Sequence, residues 1–88
     1  NEMVFGAVRL ARQVAKAGST YPAVYNAANE QAVEAFHERR IGFTDIVDTV
    51  RRVVELHQPD SALSLEGVLQ AEIWARTTAD QAIASISG

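Results

Sequence analysis

Eighty-eight residues, 48% of them apolar and none of them cysteine, are enough for one modest hydrophobic core and exclude a disulfide scaffold or thiolate chemistry. A net charge of −3, with acids and bases interspersed, lacks the basic footprint that nucleic acid or an anionic lipid surface requires. No apolar run approaches a membrane span, no signal-peptide pattern opens the chain, and the missing cysteine suits a reducing cytoplasm. The whole of residues 1–88 reads as a single domain, and its start at Asn1 in place of methionine reads as a piece of something longer.

The spacing predicts a first helix over residues 4–17, with Val4, Val8, Ala11 and Ala15 as its inward stripe. Gly18 supplies the left-handed residue that ends such a helix, and Lys16 in the last turn complements the dipole. Ser19-Thr20-Tyr21 is a short connection, with Thr20 or Tyr21 as N-cap before Pro22. A second helix follows over 22–40, with Val24, Ala28, Ala32, Ala35 and Phe36 on one face and Glu30, Glu34, His37 and Glu38 on the other. Its alanines permit a close neighbour, which makes it the central element.

Ile41-Gly42-Phe43 breaks the pattern, and Thr44 is the expected N-cap of a third helix over 45–57. Ile46, Val50, Val53, Val54 and His57 recur at helical spacing there; their β-branching also suits a strand, and the 3.6-residue period decides for helix. Gln58-Pro59-Asp60-Ser61 is a stop signal. Ser64 then caps a last helix over 65–86, with Leu65, Val68, Leu69, Ala75, Ala79, Ile83 and Ile86 as its inward stripe. The fold class is therefore all-α, a four-helix bundle-like domain whose neighbours run antiparallel through short loops.

Polar residues on predicted core faces mark the places to look for a role. Asn29 falls among apolar neighbours of the second helix, and Glu72 and Arg76 fall one turn apart in the stripe of the last. A buried amide or charge without partners is costly, so these three are expected to form one internal network between the two helices. Asn26, at the edge of the same face, is placed to cap the start of its helix. The alternative is a last helix rotated so that Glu72 and Arg76 sit at its margin. Trp74 points nearly opposite, covered by neighbouring side chains or marking a contact with another domain or subunit.

Chemistry-bearing patterns are weak. Glu34-x-x-His37 shares a helix face, but no second such motif supplies the rest of a di-metal bundle site. The serines have no histidine and carboxylate arranged beside them, and the scattered glycines form no phosphate loop. His57 reads as a partly buried histidine at a helix end, and Arg39-Arg40 and Arg51-Arg52 as solvated pairs. No catalytic, cofactor-binding or metal residue is assigned.

Pro22-x-x-x-Asn26-Ala27-Ala28-Asn29-Glu30, followed by Ala32-Val33-x-Ala35-Phe36, resembles the C-terminal domain of the 1-deoxy-D-xylulose 5-phosphate reductoisomerase family. The likeness extends to Phe5-Gly6-Ala7-Val8-Arg9-Leu10-Ala11, with Gly6 where the family has proline, and to Ala17-Gly18. Arg40-Ile41-Gly42-Phe43-Thr44-Asp45-Ile46 and Val68-Leu69-x-x-Glu72-x-x-Ala75-Arg76 continue it, with Glu72 where aspartate is usual and His37 where leucine is common. The resemblance implies a helical module of a homodimeric, cytoplasmic enzyme of non-mevalonate isoprenoid synthesis. Such an enzyme holds NADPH in an N-terminal domain and Mg²⁺ or Mn²⁺ in a central catalytic one, and makes 2-C-methyl-D-erythritol 4-phosphate. None of the family's cofactor, metal or substrate motifs falls in this stretch, so the resemblance implies a brace for those two domains. A stand-alone helical interaction module, self-associating through the Trp74 face, is the competing reading, and a small metallo-bundle the third.

Overall fold

The computed structural model describes residues 2–59 and 63–87, and side chains within them from Phe5 onward. The Val4 side chain of the first predicted stripe, and Asp60 and Ser61 of the predicted stop, lie outside these. Four helices follow one another: α1 (Glu2–Ala17), α2 (Tyr21–His37), α3 (Phe43–Leu56) and α4 (Leu65–Ser87). Among the described residues no strand occurs, and no helix is long and apolar enough to cross a membrane.

The helix ends show why the chain folds in these pieces. Gly18 adopts φ +65° and Ser19 follows at +52°, turning the chain between α1 and α2. The Gly18 N–H donates to the Val14 carbonyl at 3.1 Å, which closes the last turn of α1. The end of α2 differs from expectation by a turn: the helix stops at His37 and not near Arg40. Arg39 adopts φ +63° there, and the Arg40 N–H donates at 2.9 Å to the Ala35 carbonyl, the long bond of a Schellman-type stop. An arginine thus occupies the left-handed position that usually goes to glycine, and residue type gave no warning of it.

The start of α3 also moves, from Asp45 back to Phe43. Gly42, not Thr44, is the N-cap, and its N–H donates to the Asp45 carboxylate at 2.7 Å. A side chain reaching back from the first turn does the work the threonine was expected to do. At the head of α4, Ser64 caps as expected: its hydroxyl accepts from the Gly67 N–H at 3.0 Å.

Tyr21 meets His57 at one end of the α2–α3 pair and Phe36 meets Phe43 at the other, so the two helices run antiparallel. His57 also touches Trp74, and Gln31 reaches Asp80, so α4 runs in the same direction as α2. α2 and α3 form the centre; α1 packs on both, α4 packs on both, and among the described residues α1 and α4 do not meet. The body measures 37 × 27 × 17 Å. Its thin dimension is under two helix diameters, so the bundle is flattened and not square.

The core is built from small side chains on the helices that meet most closely. Val24, Ala27, Ala28, Ala32 and Ala35 of α2 are buried, as are Ala71, Ala75, Ala79 and Ile83 of α4. Val50, Val53 and Thr49 of α3, Leu10 and Val14 of α1, and Ile41 between α2 and α3 are buried with them. Two expected stripes are corrected here. On α1, Leu10 and Val14 face inward and Val8 is exposed, because the pair one turn apart with the larger combined surface takes the core. On α4, Leu65, Leu69 and Ile86 are exposed, because the alanine row is what lets α4 sit close to α2.

Candidate functional site

Rotating α4 onto its alanines determines where every polar candidate goes. Arg76 lies beside the core row, about 40% exposed at its side chain. Its Nη2 donates to Glu30 Oε2 at 2.7 Å and its Nη1 to Gln31 Oε1 at 2.9 Å. Gln31 in turn donates to Asp80 Oδ1 at 2.7 Å. The result is a polar ladder along the α2–α4 seam, half in water. Asn26 donates weakly to Glu30 at 3.4 Å, extending the ladder instead of capping the helix.

The structure does not bring Asn29 or Glu72 into this ladder. Asn29 is half-buried beside Val33, Glu34 and His37 along a shallow outer groove of α2, and Glu72 is half-buried on α4. Arg76 therefore pairs across the seam with Glu30, a residue read from sequence as outward-facing, and not with Glu72 one turn away on its own helix. The longer reach wins because the α2 acid lies opposite the guanidinium once the alanines are seated. Glu30 and Arg76 are distant in sequence, and no local pattern announces such a pair.

A second cluster ties three elements together at one end of the body. Thr20, only 6% exposed, shares a hydrogen bond of 2.6 Å between its Oγ1 and His57 Nε2, the donor set by the imidazole tautomer. The Tyr21 hydroxyl donates to the His57 carbonyl at 3.4 Å, and the Tyr21 ring meets the imidazole edge-on at 5.0 Å. Trp74 of α4 lies 5.3 Å from the same imidazole. Thr20 caps α2 by position without a side-chain capping bond, since its hydroxyl is used here. A hydroxyl beside an imidazole is the raw material of nucleophilic catalysis, but this one is buried and acts as a tether. Trp74 is likewise partly buried against the core, which leaves less of the ring for an outside partner.

Thr49 completes the polar inventory. It is 1% exposed, lines a groove between α3 and α4, and its Oγ1 has no hydrogen-bond partner among the described residues. Among the described residues no three His, Asp or Glu side chains converge to hold a metal ion. Glu34 and His37 are both exposed on α2 with no further ligand gathered around them. Among the described residues the polar groups tie helices to one another.

Comparison with known proteins assigns this helical body. A family model described as the DXP reductoisomerase C-terminal domain matches residues 1–78. The chain belongs to that family. Similar curated proteins are each called 1-deoxy-D-xylulose 5-phosphate reductoisomerase. The one from Leifsonia xyli subsp. xyli is 61% identical over 77 residues, covering 88% of this chain and 21% of the relative. That from Arthrobacter sp. is 58% identical over 80 residues, covering 91% and 20%. That from Chlorobaculum tepidum is 54% identical over 79 residues, covering 90% and 21%. The chain thus spans about a fifth of the length of these reductoisomerases, and the fifth it spans is their C-terminal helical domain.

Proposed function

We propose that this chain acts as the non-catalytic brace of a 1-deoxy-D-xylulose 5-phosphate reductoisomerase, packing against the parts of the enzyme that carry the reaction. The observation that carries this reading is the family match over residues 1–78. The activity proposed for the parent is conversion of 1-deoxy-D-xylulose 5-phosphate to 2-C-methyl-D-erythritol 4-phosphate, with NADPH and Mg²⁺ or Mn²⁺, in a cytoplasmic homodimer. The residues present here do not fit either group: metal-ligating side chains do not converge among those described, and the glycines build no phosphate loop. Cofactor and metal belong to the remaining four fifths of such an enzyme, which supply the hydride and polarise the sugar phosphate. What this segment contributes is mechanical: an alanine-seated α2–α4 pair stiffened by the Arg76 ladder, and a three-helix tether at His57.

A domain exchange tests the proposal. The corresponding C-terminal segment of the Leifsonia xyli reductoisomerase is replaced by these 88 residues, and substrate-dependent NADPH oxidation is followed. The chimera should turn over much as the parent does, the enzyme lacking the segment should lose activity, and the chain alone should have none. A folded but inactive chimera, or turnover by the chain alone, would overturn the reading.

A further inference from the structure

Leu65, Leu69 and Ile73 stand on successive turns of α4 and are 77%, 51% and 66% exposed. We infer that this row is the surface on which the rest of the reductoisomerase docks, an inference that rests on the function proposed above. Large aliphatic side chains thus stand in water on three consecutive turns of a helix that buries only alanines and one isoleucine. The other exposed apolar residues do not form such a row: on α1, Phe5 and Val8 give way at once to Arg9, Arg12 and Lys16. The α4 row also lies on the braced side of the helix, since Arg76, next to it on the wheel, is tied to Glu30 and Gln31 of α2.

Its size and pattern select the occupant. Three such side chains present roughly 300 Å² of apolar surface, taking about 100 Å² for each large aliphatic group. A stable complex of two separate chains needs about 800 Å² per partner, so the row is too small to hold a second copy by itself. Nor does it continue as a coiled-coil seam, because Glu72 and Arg76 occupy the positions that would extend it. A partner already joined through the backbone needs less, since linkage raises its effective concentration to the order of millimolar. The relatives are more than four times as long as this chain. Their remaining length is that joined partner, and it should present an apolar patch to these three residues.

The Leifsonia xyli chimera described above provides the test, because this segment contains no cysteine of its own. L69C and I73C are introduced one at a time, and the rate of maleimide labelling at each is compared, peptide by peptide, with E38C, which is exposed in a turn. If the row is docked, labelling at both positions is slowed about tenfold or more relative to E38C. Hydroxyl-radical footprinting of the unsubstituted chimera gives the same reading without any substitution, as low oxidation of Leu69 and Ile73. Labelling at Leu69 and Ile73 as fast as at Glu38 in a chimera that turns over overturns the inference and leaves the proposed function standing. Protection that fades on dilution assigns the row to a second copy, which also overturns it. Loss of turnover in the folded, unsubstituted chimera is the separate result that would count against the function itself.

Discussion

Ala75 is fully buried in an α4 alanine row that shares one core with the buried alanines of α2, and its replacement by leucine is the sharpest probe of the packing. Helices approach to about 8 Å only when the side chains between them are small, so a leucine here has no void to enter and must push the pair apart or twist off its rotamer. Overpacking of this kind costs about 1–3 kcal/mol. An 88-residue chain of ordinary stability holds only about 4–13 kcal/mol in total, so the loss is a sizeable fraction of the whole. At roughly 4–8 °C per kcal/mol, a 2 kcal/mol loss lowers Tm by about 8–16 °C. Ala84→Leu is the control: Ala84 is exposed on the same helix, and the same enlargement there should change stability by less than about 0.5 kcal/mol. Urea and thermal denaturation followed by circular dichroism measure both. Equal effects at the two positions would show that the alanine row is not what seats α4 on α2.

Three further outcomes follow from particular residues. Thr49→Val should stabilise the chain by about 1 kcal/mol in urea, because it removes a buried hydroxyl that has no partner and keeps the shape; a loss of stability would mean that the hydroxyl is satisfied in solution. Arg39→Gly should stabilise by about 0.5–1 kcal/mol, since glycine adopts the φ of +63° without the steric cost an arginine bears; no gain would mean that the left-handed stop does not persist in water. A double-mutant cycle of Glu30→Gln and Arg76→Met should return a coupling of about 0.2–1 kcal/mol that shrinks in 1 M salt, as befits a pair 54% and 40% exposed. A coupling of several kcal/mol would mean that the Glu30–Arg76 pair is desolvated in solution and not half in water.

The number and type of helices were legible in the residues themselves, because alternation of apolar and polar groups at a 3.6-residue period leaves little room for any other structure. Gly18 and Ser64 also marked their boundaries openly, each by a backbone property peculiar to its residue type. The run Asn26-Ala27-Ala28-Asn29-Glu30 carries the resemblance to the family on its own. What periodicity cannot supply is phase. On α4, two rows of apolar residues lie side by side, one of alanines and one of leucines and isoleucine. Hydrophobicity favours the larger row, whereas close approach to α2 favours the smaller.

Only the assembled bundle resolves that contest, and it does so for the alanines. Once they are seated, Arg76 faces Glu30 and Gln31 instead of Glu72, and Leu65, Leu69 and Ile73 are left outside. The Thr20–His57 bond and the left-handed Arg39 have the same origin: each depends on groups brought together, or a backbone angle held, by packing that no single stretch of residues encodes. The sequence by itself determined four helices, a family and the buried faces of α2 and α3; tertiary structure decided which face of α1 and α4 is inside, because close packing is a property of pairs of helices and not of one.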